Sequence, residues 1–243
     1  MMWRDVVATL LLFAYYVVTL ALVPGLLRMA GAPQELVRKL QHVCYSWSVF
    51  LLVKLFSAWY VALAASALLV VVAYPTLWRL ERSPLYRRLL VDRRPQGGEL
   101  RAQLLLVQVS FGLLITVFWG ILGTNWRYLV PVAVMAWGYG DAAAALVGKA
   151  AKSRVILSRF IDGPKTYAGT GAMVVAAALA MFFTLWVYGG KSWPVSLLTA
   201  VVVAPACALV ELFSRRGCDT LTVPFTAATL MLPLVRWLSL LGW

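Results

Sequence analysis

Apolar residues in this chain do not alternate with polar ones; they come in long, nearly unbroken runs separated by short polar stretches. Eight runs are long enough, or nearly so, to cross about 30 Å of hydrocarbon. They are Val6–Val23, Val43–Leu55, Trp59–Trp78, Leu104–Leu122, Tyr128–Val147, Thr170–Tyr188, Val195–Leu212 and Val223–Leu241. The pattern predicts an all-α, polytopic integral membrane helical bundle of about eight transmembrane helices, with 1–243 as a single transmembrane domain. The second run is short and stops near Lys54. If it is re-entrant, seven helices cross. Val6–Val23 is too long for a signal-peptide core and no small-residue cleavage site follows it, so it reads as a retained span.

Composition agrees with this reading: 63% of residues are hydrophobic and only 13% are charged, far from the averages of soluble domains. Cys44, Cys207 and Cys218 stand singly, with neither metal-type spacing nor a disulfide framework, and read as packing residues.

The net charge of +13 is concentrated in the polar stretches, and it orients the chain, because Lys and Arg of short loops stay on the cytoplasmic side. With an external N-terminus, the inward loops carry Arg28, Arg38 and Lys39, the arginines from Arg79 to Arg101, the group Lys149, Lys152, Arg154, Arg159 and Lys165, and Arg215 with Arg216. Only Arg4, Lys54, Arg127 and Lys191 face outward. Cytoplasmic loops are therefore expected at about 79–103, 149–166 and 213–222, on a multi-pass protein of the cytoplasmic membrane. Topology alone accounts for the positive charge, so no nucleic-acid partner is implied. A basic inner face also attracts anionic membrane lipids and nucleotides. The connector Arg79–Gln103 has a partial apolar face over Ser83–Val91 that suggests a short surface helix.

Against this apolar background one segment stands out, from Gly138 to Gly171. Asp141 lies near the inner end of the fifth run, and an acid within a span usually faces a cavity and has a partner. A metal or proton role and a structural bridge to Lys149 are both open. Past the basic loop, Lys165-Thr166-Tyr167-Ala168-Gly169-Thr170 leads into the sixth run. A helix start offers backbone N–H groups and positive potential to a phosphate, Lys165 adds a charge, and Thr166 and Thr170 add hydroxyls. The alternative is plain capping, with Thr166 as N-cap. Glu211 and Asp219 flank the last polar stretch. Either acid could hold a divalent cation opposite Asp141 or pair with Arg215 or Arg216, and Thr222 followed by Pro224 reads as the start of the last helix. Arg38, Lys39 and His42 share a helix face at the second run. On spacing alone, a lone interfacial histidine reads as structural.

Taken together, these pieces resemble one family, the CTP-dependent polyprenol kinases, which comprise dolichol kinase, phytol kinase and CTP-dependent diacylglycerol kinase. The resemblance rests on Arg38-Lys39-x-x-His42, Gly97-Gly98-Glu99-Leu100-Arg101, Gly140-Asp141-x-x-Ala144-x-x-x-Gly148, Lys165-Thr166-x-x-Gly169-Thr170, and Asp219-x-Leu221-x-Val223-Pro224 preceded by Glu211, in order from about residue 35 to 226. It implies transfer of the γ-phosphoryl group of CTP to the hydroxyl of a membrane lipid alcohol, with Mg²⁺. Asp141 and Asp219 then resemble metal-binding and catalytic acids, helped by Glu211. Lys149, Lys165, Thr166, Gly169 and Thr170 look like the nucleotide-phosphate contacts, with Arg38, Lys39 and His42 as further candidates. The chain departs from the family pattern at Ala142, Pro164, Ala168 and Thr220. A phosphatidate cytidylyltransferase would share the metal and the basic face, but no paired-aspartate signature stands near the C-terminus. A transporter would explain Asp141 as an ion site and leave the Lys-Thr-x-x-Gly-Thr loop without a purpose.

Overall fold

A computed structural model of the chain describes residues 2–83, 98–151, 153–156, 161, 164–215 and 217–240. The surface helix expected over Ser83–Val91 lies, apart from Ser83, outside the described residues, as do Gly97, Lys152, Arg159, Gly163 and Arg216. Among the described residues the chain is α-helical, with a single isolated β-bridge and no strand. The α-helices are α1 (Met2–Val17), α2 (Val23–Met29), α3 (Gln34–Leu55), α4 (Trp59–Leu80), α5 (Glu99–Leu114), α6 (Leu129–Ala150), α7 (Tyr167–Phe183), α8 (Trp193–Phe213) and α9 (Asp219–Leu240). Wider π-helical turns follow α1 at Val18–Leu22, α5 at Ile115–Ile121 and α7 at Thr184–Tyr188. Seven of the resulting helical stretches are long and apolar enough to cross a membrane. The chain is thus an all-α polytopic membrane bundle.

α3 is the helix whose length the apolar pattern understated. It is continuous over 22 residues, or about 33 Å of rise, but its first half carries Glu35, Arg38, Lys39, Gln41 and His42. Those residues are accommodated by pairing and burial. Arg38 meets Glu35 one turn away at 2.5 Å, and Lys39 is 4% exposed. Gln41 has a more specific task. Pro24 has no N–H, and its ring crowds the carbonyl four residues back, which is Leu20 inside the π turn. The side-chain amide of Gln41 donates to Leu20 O at 3.4 Å.

Contacts divide the chain into two units, residues 1–116 and 117–243. In the first, α1 and α2 pack on α3, α3 on α4, and α4 on α5. Buried polar side chains link these helices. Tyr16 and Ser48 share a hydrogen bond of 2.9 Å, Gln108 donates to the Tyr16 hydroxyl, and Ser66 donates to Gln108 Oε1 at 2.6 Å. Near the start of α1, Asp5 accepts from the Ser57 N–H and hydroxyl at 2.8 and 2.7 Å, while Arg4 caps the end of α3 through the Lys54 and Leu55 carbonyls.

The second unit is a closed ring of four helices, α6 on α7, α7 on α8, α8 on α9 and α9 on α6. α6 is its centre: every residue from Leu129 to Gly138 is buried. Lipid tails are as apolar as leucine, so association here depends on close packing more than on hydrophobic driving force. Gly140, Ala144 and Gly148 recur at four-residue intervals on α6 and meet Gly169, Met173 and Ala177 of α7. A Cβ added at Gly140 would stand 2.6 Å from Met173 Sδ, and one at Gly169 would stand 2.8 Å from Ala144 O and 3.3 Å from Gly148 Cα. The two backbones touch where α7 begins.

Candidate active site

The second unit brings most of the chemistry-bearing residues to one end of the four-helix ring, because α6 and α8 finish there and α7 and α9 start there. Asp141 is half-buried on α6, beside the Gly140, Ala144 and Gly148 stripe. Lys149 is exposed in the last turn of that helix.

The loop leaving α6 returns before α7 as a short antiparallel bridge between Val155 and Thr166. Ile156 N–H donates to Lys165 O at 2.8 Å, and Tyr167 N–H donates to Arg154 O at 3.3 Å. Thr166 is then the N-cap of α7: its backbone is extended, and Oγ1 accepts from Gly169 N at 3.1 Å. Ser153 Oγ accepts from Ala168 N at 3.3 Å, and Thr170 N makes the first intrahelical bond, to Thr166 O, at 2.9 Å. Sequence alone presents this helix start as a source of open N–H groups for a phosphate. In the structure all four first-turn amides are already paired. The reason is local: the bridge supplies Arg154 O and Ser153 Oγ, and the threonine supplies the rest. Gly169 is likewise used for close approach to α6.

Lys165 reaches away from the helix start, to α8. Its ammonium pairs with the buried carboxylate of Glu211 and donates to Glu211 O at 3.0 Å, which caps the end of α8 with a positive charge. Glu211, weighed above as a metal ligand or a partner of Arg215 or Arg216, is 5% exposed and is paired with Lys165. A carboxylate removed from water needs a cation and further hydrogen bonds, and a lysine 46 residues earlier in the chain supplies one.

Asp219 opens α9. The expected helix start at Thr222 is corrected: the helix begins three residues earlier, after a turn in which Gly217 takes φ +82°. Thr222 Oγ1 donates to Cys218 O at 3.0 Å and shares a bond of 2.8 Å with Ser214 Oγ, so it fastens the turn without capping the helix. Pro224 consequently lies inside α9. The indole N–H of Trp137 donates to Asp219 Oδ2 at 3.3 Å. Trp137 is fully buried on α6, one turn before Asp141, so the two acids are attached to the same face of α6.

Arg38, Lys39 and His42 belong to the first unit, on α3. The Gly-Gly-Glu-Leu-Arg stretch has a structural role there. Gly98, at φ +95°, precedes α5 and donates its N–H to Glu81 Oε1 at 3.1 Å, and Arg101 grips the Glu81 carboxylate through both oxygens at 2.8 and 2.7 Å. Glu81, Trp137 and Ser153 were not singled out by the sequence. Only Glu81 had a signal, as an acid placed among arginines.

Among the described residues no group of three or more His, Cys, Asp or Glu side chains could hold a metal by itself. Asp141 and Asp219 suit Mg²⁺ in another way, because that ion commonly takes one or two carboxylates and completes its shell with phosphates and water.

No protein-family model matches the chain, and no solved structure matches it. It is similar to the phytol kinase of Synechocystis sp. (strain ATCC 27184 / PCC 6803 / Kazusa), with 32% identity over 223 residues, covering 89% of this chain and 84% of that one. A likeness of that depth over most of both chains makes this protein a member of the polyprenol and phytol kinase family.

Proposed function

We propose that this chain is a lipid kinase that transfers the γ-phosphoryl group of CTP to the hydroxyl of a membrane-dissolved isoprenoid alcohol of the phytol, polyprenol or dolichol type. The observation that carries the reading is the extended likeness to a phytol kinase. That likeness also favours an isoprenoid acceptor over diacylglycerol. The placing of Asp141, Lys165 and Asp219 on or beside neighbouring helices of the second unit supports it. In the reaction the lipid oxygen bonds to the γ-phosphorus as the bond to the β,γ-bridging oxygen breaks; CDP leaves, and the hydroxyl proton passes to a carboxylate at the site.

Phosphoryl transfer asks a protein mainly for positioning and for charge in the right place. Asp141 and Asp219 would hold Mg²⁺, which would supply positive charge to offset that of the phosphates. Lys165 spends two donors on Glu211, and an ammonium has three; the third is its means of reaching a phosphate. Lys149 adds charge at the end of α6. Thr166 keeps its hydroxyl on the α7 cap, so its part is to hold Lys165 and Thr170 in place. The acceptor would enter sideways between helices, and the positive charge of the loops supports a site on the cytoplasmic face.

The test is to incubate the purified protein, in membrane mimic with Mg²⁺, with CTP labelled at the γ or the α phosphate and with phytol, a longer polyprenol, dolichol or diacylglycerol. Label from γ alone should reach phytol or another isoprenoid alcohol. Transfer of the α label would mean a cytidylyltransferase, and transfer of neither would leave a transporter. Asp141→Asn should lower the rate by at least about a hundredfold, the scale on which one charge-stabilising group counts in catalysis; a variant keeping the full rate would overturn the assignment of Asp141.

A further inference from the structure

We infer that Trp137 is a positioning residue that aims the Asp219 carboxylate at the metal–nucleotide complex; the inference rests on the function proposed above. Three observations carry it. The indole N–H meets Asp219 Oδ2 at 3.3 Å across 82 residues of sequence. The ring itself is fully buried in the most tightly enclosed stretch of α6, so its donor points in a fixed direction. Trp137 also precedes Asp141 by four residues, which on a helix puts both on one face, about 6 Å apart along the axis.

The chemistry of the donor matters as much as its place. Glu211 is held by an ammonium, which cancels its charge. The indole contact to Asp219 is made by a neutral group that donates and cannot accept. As a neutral donor it orients Asp219 Oδ2 without adding a charge of its own. Hydrogen bonds that orient a ligating group from behind typically account for tenfold to a hundredfold in metal affinity. Trp137 also ties Asp219 to α6 mechanically: a shift of α9 that carries Asp219 away from α6 has to break the bond to a fully buried residue.

The test uses full-length protein and Trp137→Phe, which keeps an aromatic ring and removes the donor. Equilibrium binding of CTP is measured as Mg²⁺ is varied, beside kcat and KM and a thermal melting curve. The expected result is about a tenfold increase in the Mg²⁺ concentration needed for half-maximal CTP binding, with a lower kcat, little change in KM for the alcohol and a lowered melting temperature from the smaller ring. A cycle with Asp219→Asn separates a positioning role from general packing: once the carboxylate is gone, Trp137→Phe should cost almost nothing further in Mg²⁺-dependent CTP binding. Unchanged Mg²⁺ dependence in Trp137→Phe, or equal losses in the presence and absence of Asp219, would overturn the inference. If the wild type neither binds CTP nor phosphorylates a lipid alcohol, it is the proposed function that has failed.

Discussion

The two units solve the same physical problem in opposite ways. Helices in lipid gain little from hydrophobic burial against each other, so each unit needs another reason to stay together. The first uses hydrogen bonds between side chains: Tyr16, Ser48, Gln108 and Ser66 form a buried chain across α1, α3, α4 and α5, and Glu81 binds Arg101 through both oxygens. The second uses the absence of side chains, with α6 and α7 in backbone contact at Gly148 and Gly169. The ion pair of Lys165 with Glu211, which links α8 to the approach of α7, sits at the helix ends with the candidate chemistry. Side-chain bonds tolerate small shifts. Backbone contact does not, and the unit that carries the proposed reaction is the one built on it.

The sharpest way to break this contrast is to leave Glu211 without its cation. Lys165→Met strands a buried carboxylate and should cost about 3–5 kcal/mol, read as a fall in the unfolding midpoint in detergent. Lys165→Met combined with Glu211→Gln should recover most of it, whereas a purely surface pair would show neither effect. Gly169→Ala comes next. Its methyl would meet backbone atoms of α6 at 2.8 and 3.3 Å, which cannot rotate aside, and the loss should be about 1–3 kcal/mol together with most of the kinase activity. In the first unit Gln108→Leu breaks two buried bonds at roughly 0.6 kcal/mol each, so a loss near 1 kcal/mol is expected from the same unfolding assay. A loss there larger than that of Gly169→Ala would reverse the comparison. Smallest of all is Gly171→Ala: nothing lies within 4 Å of the added carbon, and the variant should be neutral or more stable by up to about 1 kcal/mol through helix propensity alone.

How far the sequence carried these conclusions depended on how local each cause was. Long apolar runs mark helices by composition, and the run Trp59–Trp78 became α4 with its end only two residues later. Thr166 as a cap was readable because its bond partner is three residues away. α3 was half hidden, since what lets Arg38, Lys39 and Gln41 ride on one continuous helix is pairing and burial against other turns, including a bond from Gln41 to the Leu20 carbonyl. The pairing of Lys165 with Glu211 and the bond from Trp137 to Asp219 join positions 46 and 82 residues apart, and no periodicity reports such distances. The motif residues were recognisable as chemical types; which of them hold one another was not.

The link from Lys165 to Glu211 also bears on how the protein is made. Chains emerge N-terminus first, so the lysine ahead of α7 is in place before α8 is synthesised. When the end of α8 arrives, its acid meets a waiting counterion and is not drawn out of water alone, a cost that membrane interiors make severe. The order of the two residues along the chain thus gives assembly a direction.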